Sequence, residues 1–98
     1  MEHNISRKDV EEYCLQFQTY RLLHKDEKQH VVGNLMHIVN WYHDKPYGFG
    51  HFLTAVVEDK FSAAVCRADT TNLKCIELYA KFMYNMMPQD YKLKAALL

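Results

Sequence analysis

The sequence predicts an all-α fold, a small compact bundle of about five helices. Three observations carry that expectation. The 98 residues include only three glycines and two prolines, so few positions interrupt a helix. Apolar residues recur every three or four positions along most of the chain. The two apolar runs that invite a strand, Phe52 to Val57 and Cys75 to Phe82, lack period-two alternation, and no Asn-Gly or Asp-Gly hairpin turn occurs. The expected order is two longer N-terminal helices, then short helices, then one longer C-terminal helix. A single domain spans 1–98, with 1–5 and 89–98 expected as loosely held tails.

Ser6 and Asp9 have the S-x-x-D spacing of a capping box, with Asp in place of the usual Glu. Behind them Val10, Tyr13, Cys14, Phe17, Tyr20 and Arg21 follow helical spacing, which predicts a first helix over 7–23. The polar run from His24 to Gln29 either joins two helices or is an exposed turn within one long helix. Val31, Leu35, Ile38, Val39 and Tyr42 form the apolar side of a second helix. It should end near Asp44, because Pro46 disfavours helix at the residue before it.

The segment Pro46-Tyr47-Gly48-Phe49-Gly50 is the main punctuation, and its glycines permit positive φ and a sharp change of direction. Phe52, Leu53, Val56 and Val57 then make one or two buried helical turns. Asp59 reads as an N-cap for a short helix carrying Phe61, Ala64 and Val65. Asp69 reads as another, with Asn72 facing back at its third helical position. The helix it opens should bury Leu73, Ile76, Tyr79, Ala80, Met83 and Met87 and stop at Pro88.

Twelve basic and twelve acidic side chains cancel, so there is no bulk positive field of the kind that nucleic-acid binding usually uses. No apolar stretch approaches the roughly 20 residues of a membrane span. The first residues lack the basic and apolar regions of a secretory signal, which sets the expectation of a cytoplasmic protein with no membrane association. Cys14, Cys66 and Cys75 lack metal-site or redox spacing and read as buried free thiols.

Six histidines raise the question of a metal. His30 and His37 share a helix face with Asn34 between them, but no H-E-x-x-H occurs, so no metal and no cofactor are expected. Nucleophile elbow, P-loop and dinucleotide fingerprints are all missing. The acidic neighbours Glu11-Glu12 and Glu58-Asp59 diverge by about 100° on a helix and read as solvated surface. No catalytic residue is expected, and the chain does not read as an enzyme.

Two places remain as candidate sites. One is the turn Tyr47, Gly48, Phe49 and Gly50 leading into a helix, where unpaired N–H groups suit an anion and Arg67 could supply a bidentate grip. The alternative expectation is a plain bend that tucks Phe49 into the core, with Arg67 paired to Asp69 or capping a helix C-terminus. The other is an aromatic and Met-rich surface. With Tyr79, Met83 and Met87 facing inward, Phe82 and Met86 project elsewhere, and Trp41 raises the same question on the second helix.

From about Pro46 to Pro88 the chain also resembles a group of small uncharacterised proteins encoded by bacteriophages and prophages. The matching residues are Gly50, Phe52, Leu53, Ala55 and Val56, then Arg67, Ala68, Asp69 and Asn72, then Tyr84, Asn85 and Pro88. His51 departs from the group's usual second glycine, and Val57 from its leucine. The resemblance implies a working place in the bacterial host cytoplasm and, by analogy with small helical phage proteins, a host target.

Taken together, the expected function is non-enzymatic: binding and inhibiting or sequestering a host component, such as a defence factor, through Trp41, Phe82 and Met86. Self-association is expected as well. The alternatives are an oligomeric binder of a nucleotide-like anion at Gly48–Gly50 and, ranked below it, a nucleic-acid-binding helical protein using Lys74, Lys81, Lys92 and Lys94.

Overall fold

The computed structural model describes residues 5–43, 50–88, 90, 91 and 95. Seven helices occur among them: α1 (Arg7–Cys14), α2 (Gln18–Arg21), α3 (Lys25–Tyr42), α4 (His51–Val57), α5 (Phe61–Arg67), α6 (Thr70–Lys74) and α7 (Ile76–Asn85). Five of them have seven or more residues, and no strand occurs among the described residues. The Cα radius of gyration, 12.6 Å, is that of a compact domain of this length.

α1 begins where the capping box places it. The Ser6 Oγ accepts from the Asp9 N–H at 3.1 Å, and Asp9 Oδ2 accepts from the Ser6 N–H at 3.0 Å. The Ser6 N–H, followed by the Ser6 hydroxyl, holds the Asp9 carboxyl below its ordinary range. The expected helix over 7–23 is nevertheless two. After Cys14 the chain tightens into i→i−3 bonds, Gln16 to Tyr13 and Phe17 to Cys14, and Phe17 becomes extended before α2 starts. The break exposes the Leu15 carbonyl, which accepts from Arg21 Nη1 at 2.6 Å. No Gly or Pro lies at this position; Phe17 instead turns its ring toward Tyr13, 5.5 Å away.

α3 is the central helix and packs against α1, α4 and α6. Its buried stripe, Val31, Leu35 and Ile38 with Val32 and Val39, follows the predicted spacing. The polar run belongs to its first turn, where Glu27 Oε1 accepts from the His24 N–H at 3.1 Å. It ends at Tyr42, close to the expected boundary.

The α4–α5 turn corrects the reading of Asp59 as an N-cap. Asp59 has φ 59°, in the left-handed region. The Lys60 N–H donates to the Ala55 carbonyl and the Asp59 N–H to the Val56 carbonyl, the paired bonds of a Schellman ending. Asp59 therefore closes α4, and Lys60 precedes α5. Aspartate is among the few non-glycine residues that tolerate this conformation.

Asp69 does cap α6, its Oδ1 accepting from the Asn72 N–H at 2.7 Å. The long C-terminal helix expected behind it is divided at Cys75, so α7 starts with a new phase. Its buried side chains are Leu78, Tyr79, Phe82 and Met83; Ala80 is exposed and Ile76 half-buried. Leu73, expected in the core, is 47% exposed. Tyr91 and Ala95, expected in a loose tail, are buried.

Candidate functional site

The rotated phase of α7 removes the interface read from the sequence. Phe82 is fully buried, with its ring edge-on to Tyr13 at 5.9 Å, because it lies one turn from Leu78 on the inner stripe. Trp41 is buried as well, and Met86 is half-buried against the core. Trp41, Phe82 and Met86 thus contribute to packing rather than to an exposed stripe.

The other predicted site falls largely on residues that the structure does not describe. Tyr47, Gly48 and Phe49 lie outside the described residues. Gly50 has φ −72° as the N-cap of α4, a conformation any residue adopts, and Thr54 Oγ1 donates to its carbonyl. Arg67 is exposed at the last residue of α5. Its expected partner Asp69 is engaged elsewhere, with Oδ2 3.2 Å from His30 Nε2. Cys14 and Cys75 are buried as expected, and burial pushes the Cys14 thiol up to about 12. Cys66, by contrast, is exposed.

What the structure builds instead starts from a polar seam between α3 and α6. Glu27, His30 and Asn34 stand three and four residues apart on one stripe of α3. Glu27 Oε2 accepts from the Thr71 hydroxyl at 2.9 Å, which with the His24 N–H holds its carboxyl below the ordinary range. His30 meets Asp69. Asn34 Nδ2 donates to Asn72 Oδ1 at 3.2 Å and to the Tyr79 hydroxyl at 3.0 Å, while that hydroxyl donates to Asn72 Oδ1 at 2.6 Å. Asn72 therefore does not face back along its own helix. It is the buried polar residue among those described, and the triad satisfies it. Burial raises the Tyr79 hydroxyl far above its ordinary range, so it stays protonated.

This triad fixes one face of Tyr79, and Phe52 packs edge-on against its ring at 5.0 Å. Tyr79 also lines a cleft of about 150 Å³ between α4, α5 and α7. Its floor consists of buried side chains: Ala55 and Val56 from α4, Ala64 from α5, and Tyr79 and Met83 from α7. Its rim consists of exposed ones, Asp59, Lys60, Phe61 and Ala80. Phe61 is 69% exposed, an unusual position for so large an apolar ring.

The charges at the rim are already satisfied. Lys60 Nζ lies 3.2 Å from Glu58 Oε1, and both Asp59 carboxylate oxygens accept from the Tyr91 hydroxyl, at 2.9 and 3.1 Å. Burial and this carboxylate push the Tyr91 hydroxyl up to about 12. The cleft thus offers an apolar, ring-sized hollow with a packed floor and a rim whose charged groups are hydrogen-bonded or ion-paired. Such a surface suits docking of apolar side chains, since its carboxylate is engaged with Tyr91 rather than held against a nucleophile.

The chain matches no family model, no curated protein and no solved structure. Geometry alone therefore supports the choice of site. Sequence reasoning missed Phe61 and the cleft because Phe61 fits the helical spacing of Ala64 and Val65, and periodicity alone assigned it inward. The left-handed turn at Asp59 was the missing signal, since it sets which face of α5 packs on α4. An Asp just after an apolar run is compatible with either a helix end or a helix start.

Proposed function

We propose that this protein is a non-catalytic binding module that docks another protein on the face formed by the cleft and Phe61. The observation that carries this reading is a largely exposed Phe61 beside an apolar hollow with a packed, buried floor. Exposed aromatic side chains next to apolar hollows are the usual anchors of protein interfaces. The resemblance to phage-encoded proteins supports a bacterial host component as the target, bound so as to inhibit or sequester it.

The test is affinity capture from bacterial lysate followed by direct titration of the purified target. Phe61→Asp should weaken that binding by about 100-fold, the effect of removing an interface anchor, while far-UV circular dichroism stays unchanged. A target bound equally well by Phe61→Asp would refute this face.

A further inference from the structure

We infer that, in the absence of a target, a second copy of this chain covers the face, each Phe61 entering the other copy's cleft about a two-fold axis. The inference rests on the docking reading above and names one occupant for the same face. Three features point to a second copy. First, size: an apolar cavity of about 150 Å³ accommodates one benzene-sized ring, and the cleft has about that volume. Second, the chain itself supplies the ring. Phe61 borders its own cleft yet leaves most of its surface to solvent. Ring and hollow share one patch, which a two-fold axis makes self-complementary and closed, with two ring-in-hollow contacts per dimer.

Third, charge. Glu58 and Lys60 flank Phe61 as an opposite pair 3.2 Å apart, and Glu77 and Lys81 form another on α7 at 2.8 Å. With Asp59 the rim carries both signs, which the same rim of a second copy can match. Across a two-fold axis, the same rim lets Lys60 of one copy meet Glu58 of the other. The whole chain likewise has no net charge to oppose association.

Sedimentation velocity on the full chain, up to about 0.5 mM, tests this directly. The wild type should show a monomer–dimer equilibrium, and Phe61→Asp should raise its dissociation constant by about 100-fold. Complementation adds a sharper readout. Phe61→Ala keeps the buried floor of the hollow and loses the ring, whereas Ala80→Trp fills the hollow and keeps the ring. Each should dimerise weakly alone, and an equimolar mixture should form a heterodimer through the one remaining contact. Both changes are at exposed positions, and thermal melts report whether the fold is intact. A wild type that stays monomeric throughout the range, or a dimer that Phe61→Asp leaves unchanged, overturns the inference. A monomer whose target binding still depends on Phe61 removes the dimer and leaves the docking face standing. Indifference of both to Phe61 removes both.

Discussion

The Tyr91 hydroxyl donates to both carboxylate oxygens of Asp59, joining residues 32 apart in the chain at the one left-handed non-glycine position among the described residues. One contact therefore ties the C-terminal turn to the rim of the cleft and holds the turn between α4 and α5.

Variants at this pair separate its two roles. Tyr91→Phe loses the hydrogen bonds to a charged acceptor and should cost about 1–2 kcal/mol. Asp59→Ala loses the same bonds and keeps the strained backbone, so its cost should be larger, about 2–3 kcal/mol. Asp59→Gly loses the bonds but relieves the strain, which should bring it within about 1 kcal/mol of wild type. Urea midpoints give the order, and equal losses for the Ala and Gly variants would refute the backbone role.

The same bond gives a pH dependence. Folding raises the Tyr91 hydroxyl from its ordinary 10.0 to about 12, so the fold favours the protonated form. Its contribution to stability is complete below pH 10 and is lost as pH rises through 12. The stability gap between wild type and Tyr91→Phe should therefore narrow above pH 10. Denaturant midpoints across that interval, measured in parallel on both proteins, check it; a constant gap contradicts the linkage.

Asn72 offers a test of the buried triad. Asn72→Ala leaves the Tyr79 hydroxyl with Asn34 alone and opens a gap beside it, a loss of about 2–3 kcal/mol. Tyr79→Phe should cost about 1–2 kcal/mol. Because the two share one bond, the double variant should lose less than the sum, by about 1 kcal/mol. Strict additivity in the thermodynamic cycle would show that the triad is not a unit.

Gly33 lies in the interior of α3, and a Cβ placed there meets no atom within 4 Å. Gly33→Ala should accordingly stabilise the protein by about 1 kcal/mol through helix propensity alone. A rise in thermal midpoint is the expected result, and a fall would reveal a contact that excludes the methyl group.

Much of the helical framework was legible locally. The Ser6 and Asp69 caps depend on side chains and N–H groups three residues apart, so sequence spacing is enough to find them. The stripe of Val31, Leu35 and Ile38 runs for two turns with no competing apolar face, which makes its inward side unambiguous. The candidate site was less legible. Phe82 and Leu73 each sit on an apolar stripe that could face inward, and the inward choice depends on the break at Cys75.

The sequence by itself determined that the chain is helical, where α1 and α6 are capped, and which face of α3 is buried. Those outcomes follow from interactions within about four residues and from a 3.6-residue period. Only the tertiary structure decided the break at Phe17, the left-handed turn at Asp59, the phase of α7 and the exposure of Phe61. The turn at Asp59 and the phase of α7 go with partners far along the chain. Tyr91 meets Asp59, Tyr79 meets Asn34, and α7 packs on α4. Local propensity distinguishes such arrangements by less than the packing they create, so long-range contacts set the outcome.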